Sequence, residues 1–367
     1  MPVLAAMSSF IHLLASQADD LVSWLQTLLY VNAVQPLLFQ LGWMDVDEDT
    51  YDALYWVIVG VLEVAAMYAL LRPLEALAPA EKWRDRKGVG VDAIYTWITR
   101  LGILNLLFFF TLQPFFDRAQ SALHLLGVKT LDIDTLWPGV TTAPLVAFMI
   151  YVVVLDFAGY WYHRFSHRFG VWWELHAVHH SQRKMSMWCD NRNHLLDVLM
   201  QSCMFAVIAL AIGVPPAQFV VLVALTNFVQ SVQHANIRLH FGWLGERLVV
   251  SPRFHRRHHA IGYGHEGTTY GCNFGVLFPW WDMLFGSASF DRTIEPTGIR
   301  DQLEGARYGE GFWAQQAFAF ARIGRRLAWC SGQRAGRRTG PAGASGAASH
   351  VAAQASQPAS HDDATIG

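Results

Sequence analysis

Leu155–His180 reads LDFAGYWYHRFSHRFGVWWELHAVHH, and the fold turns on how this stretch is read. It closes an apolar run with five histidines: His163, His167, His176, His179 and His180. His163 and His167 are spaced i, i+4. His176, His179 and His180 are spaced i, i+3, i+4. Residues three and four apart are neighbours on a helix surface, so a helical backbone stacks each set within one turn. A second triplet of the same spacing, His255, His258 and His259, sits in HRRHH. One such pair is weak evidence for metal, but three units in one chain are strong evidence. Neutral imidazole suits iron, zinc, copper or nickel.

Working outward, the apolar residues are concentrated rather than spread. The 367-residue chain is 53% apolar and only 15% charged, where an average soluble domain is about 25% charged. Apolar runs cover about 22–42, 53–72, 94–116 and 142–161, and the last leads straight into His163. Each is near the ~20 residues that cross a bilayer at ~1.5 Å per residue. Two more runs, 195–213 and 216–233, are divided by Gly213-Val214-Pro215-Pro216, a turn through which neither helix continues. They read as a helical hairpin between the two histidine clusters. Residues 312–329 read as a basic amphipathic interfacial helix, and the Gly/Ala/Ser-rich chain from about 332 reads as a disordered tail.

The loop 82–87 (KWRDRK) is basic and the loop 45–52 (DVDEDTYD) is acidic. If the basic loop is cytoplasmic, the crossings return the chain to the cytoplasm at His163, and both histidine clusters and the basic tail share that side. Arg100, near the start of a run, is expected to snorkel towards the interface. The expectation is therefore an all-α integral membrane protein of a bacterial inner membrane. It has about four to six transmembrane helices and a cytoplasmic histidine-rich helical cap. The divisions expected are 1–140 for N-terminal membrane helices, 141–292 for the histidine domain, 293–331 for the interfacial segment and 332–367 for the tail.

Several classes are disfavoured. The net charge of −2 gives no electrostatic argument for nucleic acid. Cys189, Cys203, Cys272 and Cys330 show no paired spacing, so neither a disulfide framework nor a zinc ribbon is indicated. No Lys or Arg precedes the first apolar stretch, which carries Asp19 and Asp20 instead, and this argues against a cleavable signal peptide. No internal repeat marks an inverted-repeat transporter.

Eight clustered histidines exceed the four ligands of one tetrahedral zinc, so two metals sharing them is the better count. HExxH, the zincin motif, does not occur. Haem needs one or two axial histidines facing each other inside a bundle, not HxxHH units at helix ends. An O2-activating dinuclear non-haem iron centre fits best. The alternatives are a membrane metal transporter or carrier, and a zinc metallohydrolase, for which Glu174 is the one carboxylate candidate inside a cluster.

Six motifs then occur in order: Asp156–His167 (D-x6-HRxxH), Trp173–Ser181 (W-x-LHxxHHS), Arg192–Asp197 (R-x-H-x2-D), Gln233–Asn236 (QHxN), Pro252–His259 (P-x2-HxxHH) and Asn273–Gly286 (NFG-x4-WWDxLFG). Over about 142–290 the chain resembles the fatty acid hydroxylase/sterol desaturase superfamily. The resemblance implies an integral membrane enzyme with two iron ions. Such an enzyme uses O2, and electrons from a separate ferredoxin or cytochrome-like carrier with its reductase, to hydroxylate or desaturate a lipid C–H bond. It implies His163, His167, His176, His179, His180, His255, His258 and His259 as ligands, with His234 of QHAN as a ninth.

Other residues are expected to support these. Asp156 lies two turns before His163 on the same face and is expected to accept the second ring N–H of a ligand histidine, fixing its tautomer. Asn273 and Asp282 are expected to act similarly, and His194 to stand behind the ligands or face substrate. Family members often carry Asp at the position of Gly271, and the segment before it, GYGHEGTTYG, is longer than usual. Glu266 or His265 is expected to replace the missing carboxylate, with a mobile substrate loop as the equal alternative. Arg164, Arg168, Arg183, Lys184, Arg253, Arg256 and Arg257 interleave the clusters. They are read as the positive-inside bias, with docking of an acidic carrier or a lipid headgroup as the functional option. The tryptophans near the motifs are read mostly as an interfacial belt.

Overall fold

The computed structural model describes residues 17, 19–83, 85–103, 133–261 and 271–338, with isolated residues between 118 and 127. The regular elements among them are all helices; the one β feature among them is an isolated bridge between Ala260 and Thr297. The chain divides into two compact units, residues 1–323 and 324–367.

The run 22–42 forms a helix that passes through a π turn at Tyr30–Val34 before continuing as Gln35–Leu41. Pro36 supplies the reason: it has no N–H to donate and crowds the preceding turn, so the hydrogen-bond register slips there. Helix α1 (Asp47–Leu77) begins with three acids in its first turn, which suit the positive end of the helix dipole. Helix α2 (Val89–Arg100) comes after the basic loop. Helix α3 (Pro144–Arg168) starts with proline in its first turn, where a missing N–H costs nothing. It ends at Phe169, whose extended backbone turns the chain into α4 (Gly170–His180).

The predicted hairpin is present. Helix α5 (Leu195–Ala211) and helix α6 (Pro216–His234) are joined through Gly213, whose φ of 70° is a left-handed conformation that glycine adopts without strain. Helix α7 (Pro252–His258) is capped by the Ser251 hydroxyl, which accepts from the Phe254 N–H. Helix α8 (Phe312–Arg338) starts where the amphipathic segment was expected and runs on to Arg338.

Among the described residues, two helical stretches are long and apolar enough to cross a bilayer: Met44–Leu77, which contains α1, and Pro144–Arg168, which is α3. Only 28% and 44% of their most apolar windows are buried in protein. A soluble core helix is mostly buried, so these two leave apolar surface open in the way a lipid-facing helix does. Most of the expected third run, at 104–117, lies outside the described residues, and the hairpin helices are 17 and 19 residues long.

Three packing arrangements position the histidine motifs. Tyr151, Val152 and Leu155 of α3 form a buried cluster with Leu222 of α6 and Leu277. Tyr95, Leu175, Val178, Phe312 and Ala319 join α2, α4 and α8. Helices α1 and α2 come close at Gly60, where a Cβ would sit 1.7 Å from the Arg100 carbonyl oxygen. That approach brings Arg100 to Glu63 (3.1 Å) and Asp190 (2.9 Å). Arg100 is therefore buried and paired rather than snorkelling, because two carboxylates meet it inside the protein. The 78–92 segment packs beside the histidine motifs: Asn236 Oδ1 accepts from the Glu81 N–H, Glu81 pairs with Arg256, and Asp85 with Lys184.

Candidate metal centre

The end of α3, all of α4, the end of α6 and α7 converge. They bring nine histidines into two buried groups, His163, His167, His176, His180 and His258 in one and His179, His234, His255 and His259 in the other. Within each group the candidate ligand atoms all lie within 4.8 Å of one another. The division comes from helix geometry. Adjacent residues point about 100° apart on a helix, so each HH pair sends one ring to each group: His179 and His180 on α4, His258 and His259 at the end of α7. The doubled histidines thus tie the two groups together, and the HH pairs in the sequence are the signal of that division.

The nitrogens facing away from each group settle the tautomers. His163 Nδ1 bonds the Phe274 carbonyl (2.9 Å), His258 Nδ1 the Cys272 carbonyl (2.6 Å) and His234 Nδ1 the Gln230 carbonyl (2.8 Å). His176 Nδ1 bonds the Asp197 carboxylate (3.2 Å). Carbonyls and carboxylates only accept, so all four Nδ1 atoms carry a proton, and Nε2 is the ligating nitrogen of each ring in its neutral form. Among the described residues, His163 Nε2 and His176 Nε2 are buried without a hydrogen-bond partner. Within the groups, Nε2 atoms face one another at 3.0–3.2 Å: His255 with His234, His234 with His179, His258 with His180, and His180 with His167. One ring proton serves only one such contact at a time. A buried polar atom left unsatisfied costs about 1–3 kcal/mol, and a cation among the lone pairs removes that cost. The donor set therefore fits a metal in each group.

Protonation does not offer the same relief. Burial, reinforced by repulsion from neighbouring imidazoles, holds His179, His180, His255 and His259 well below the ordinary histidine range. These rings stay neutral and able to ligate near neutral pH.

The supporting residues act differently from the sequence expectation. Asp156 accepts no imidazole proton. It takes the Leu277 N–H (2.7 Å), the Phe278 N–H (3.3 Å) and the Trp281 Nε1–H (2.8 Å). Asp282 takes the Phe274 and Gly275 N–H groups (2.8 and 2.7 Å) and the Ser287 hydroxyl. Its burial pushes its carboxyl above the usual range. Asn273 holds a left-handed φ of 59°, bonding the Phe254 and Ser289 carbonyls and the Ser289 N–H. All three thus fix the 272–282 segment, whose Cys272 and Phe274 carbonyls in turn orient His258 and His163. They are positioning residues acting through backbone. A glycine is required at 275, because a Cβ there would meet the Phe278 carbonyl oxygen at 2.6 Å and Asp282 Oδ2 at 2.9 Å.

The carboxylate that does meet an imidazole is Asp197, which also accepts from Tyr162 and from Trp172 Nε1 (2.8 Å). Trp172 and Trp281 are thus donors to buried carboxylates rather than members of a belt, and Trp173 packs on the His167 and His180 rings. His194 joins neither group. Its Nδ1 caps α5 by accepting from the Leu196 N–H, and its Nε2 meets the Gln316 carbonyl. Glu174 is taken by Arg322 of α8, which also holds Asp301. Glu266 and His265 lie outside the described residues. Several of the interleaved basic residues are already engaged: Arg256 with Glu81, Arg257 with Asp291 and Glu295, and Arg253 with Glu246.

Residues 148–287 match the family of fatty acid hydroxylases. An ornithine lipid hydroxylase of Rhizobium tropici is 29% identical over 277 residues, covering 74% of this chain and 78% of that protein. The alkylglycerol monooxygenase of Homo sapiens is 27% identical over 133 residues, 36% of this chain and 28% of that protein. A Delta(7)-sterol 5(6)-desaturase of Gibberella zeae is 25% identical over 174 residues, 47% of this chain and 49% of that protein. The chain thus spans most of the first relative and half or less of the other two. No solved structure matches it.

Proposed function

The chain belongs to the fatty acid hydroxylase/sterol desaturase superfamily, and from that premise we propose that it is a membrane-embedded lipid hydroxylase with one iron in each histidine group. The balanced reaction is R–H + O2 + 2 e⁻ + 2 H⁺ → R–OH + H2O, with the electrons delivered by a separate ferredoxin or cytochrome-like carrier. Two irons held by these rings supply the O2-activating redox chemistry that an unactivated C–H bond requires. The protein's part is to hold nine imidazoles in two converging groups and to fix four of them from behind through carbonyls and a carboxylate. In this reading α1 and α3 cross the bilayer and the histidine face lies on the cytoplasmic side with the 82–87 loop.

The observation that carries the proposal is the pair of buried histidine groups, backed by carbonyls and a carboxylate, inside the matched segment. Hydroxylation is favoured over desaturation because the ornithine lipid hydroxylase is 29% identical over 74% of this chain, whereas sterol desaturases are 25% identical over 47% and 60% of it. The engagement of Glu174 by Arg322 takes away the one candidate base for a metallohydrolase. The test is metal analysis of the purified full chain with lipid mass spectrometry under ¹⁸O2. Two irons per chain and one labelled oxygen in a lipid are expected. Zinc with oxygen-independent turnover overturns the proposal.

A further inference from the structure

Beside the histidine groups is a cavity of about 60 Å³, bounded by the hairpin helices α5 and α6. His163 and His176 of one group and His179, His234 and His255 of the other line it, so it opens on both groups at once. At the ~15 Å³ that one water needs, it holds roughly four water-sized groups. A ring system or a folded acyl chain is far larger. What reaches this space is a short piece of substrate.

Val198 and Val276 add apolar lining, but most of the rest is polar, although part of it belongs to an apolar hairpin. Polar side chains in such helices are costly unless they have partners or a function. Most have partners. Asp190 is bound by Arg100 and Ser231, and Asp197 by His176, Trp172 and Tyr162. The Asn193 amide donates to the Asp190 carbonyl, and the Gln233 amide to the Val276 carbonyl. Two remain. Gln201 of α5 and Gln230 of α6 line the cavity, and neither side-chain amide hydrogen-bonds to protein among the described residues. Gln230 is fixed at the site by its own backbone, since its carbonyl holds His234 Nδ1.

We propose that Gln201 and Gln230 are specificity-determining residues that bind a neutral donor–acceptor group of the lipid, an amide or a hydroxyl, and so place a C–H bond within a few atoms of that group against the histidine groups. This rests on the lipid-hydroxylase reading and names the chemistry its substrate carries at the reacting end. The group is neutral because both carboxylates of the lining are already matched by protein donors, which leaves no free charge to hold an ammonium. It is donor and acceptor together because each glutamine offers both an N–H and a C=O. A hydrocarbon chain alone would cover both amides without satisfying them, a mismatch that polar pockets reject strongly.

The experiment expresses the full chain in host membranes under ¹⁸O2, extracts total lipid and locates the label by fragmentation. The expected result is an oxygen within about four bonds of an amide or hydroxyl, with amide-linked and hydroxyl-bearing lipids distinguished by their fragments. Gln201→Leu and Gln230→Leu should each lower labelled product roughly tenfold or more, with unchanged iron content and melting temperature. Gln201→Asn and Gln230→Asn, which keep an amide, should restore part of the yield. A label deep in an acyl chain, or wild-type yield from both leucine variants, overturns this inference and leaves the hydroxylase reading standing. No labelled lipid from the wild-type chain overturns both.

Discussion

Replacing Asp197 by asparagine tests how the fold prepares a ligand. Asp197 Oδ1 accepts from Tyr162 and Trp172, and Oδ2 from His176 Nδ1. In Asp197→Asn the carbonyl oxygen keeps the first two bonds, so the amide NH2 takes the Oδ2 position and faces His176. An N–H cannot donate to a protonated Nδ1. His176 must then shift its proton to Nε2, the nitrogen aimed into the histidine group, where it blocks ligation. Loss of a partner behind a ligand histidine typically costs 10–100-fold in metal affinity or activity, which is about 1.4–2.7 kcal/mol. The size and shape of the side chain are unchanged, so the fold is spared. Asp197→Ala leaves the Trp172 N–H buried without an acceptor and should cost about a further 1–3 kcal/mol of stability. The assay is competition of Fe(II) against a chelator on the apo protein, read beside the melting temperature of the apo form. An asparagine variant with wild-type Fe(II) affinity and unchanged turnover would refute the tautomer argument.

Three further outcomes come from the same geometry. His163→Ala and His255→Ala each remove one ring from a different group, so iron should fall from two towards one per chain in either variant and close to zero in the double variant. Asn273→Ala removes three hydrogen bonds at a left-handed residue and should lower stability by about 3–5 kcal/mol; Asn273→Gly should recover only the backbone share, of about 1 kcal/mol, in thermal or denaturant unfolding. The pH dependence of the metal-free chain comes from buried rings. His179, His180, His255 and His259 are held below their ordinary value of 6.5 in the fold, whereas the unfolded chain takes up those protons near 6.5. The unfolded state therefore binds more protons as pH falls, so stability is full above about 6.5 and drops steadily below it. A melting temperature of the apo protein that is flat between pH 7.5 and 5 would contradict this.

Local rules made much of this chain legible. The Gly213–Pro216 turn, the helix starting at Pro144 and the capped start of α7 at Ser251 all depend on a few adjacent residues. So does the stacking of His163 over His167 and of His255 over His259, which is set by the pitch of the helix. The apolar runs marked α1 and α3 for the same reason. The candidate ligand set was also readable, because the HxxHH spacing carries its own geometry.

The groups behind the ligands were not readable in this way. Asp156 sits two turns from His163 on one helix face, yet it binds the Leu277 and Phe278 N–H groups, because the 272–282 segment folds back onto α3. The partner of His176 is Asp197, brought in by the hairpin from 21 residues away. His194 looked like a candidate by its motif and became a helix cap. The sequence by itself determined the helices, their turns and which face of each carries imidazole, since those depend on periodicities of a few residues. Only the tertiary structure decided which lone pairs converge, which acceptors hold each ring from behind, and that nine histidines divide into five and four. Those facts depend on distances between segments as many as 111 residues apart, such as His163 and Phe274, and no local spacing encodes them.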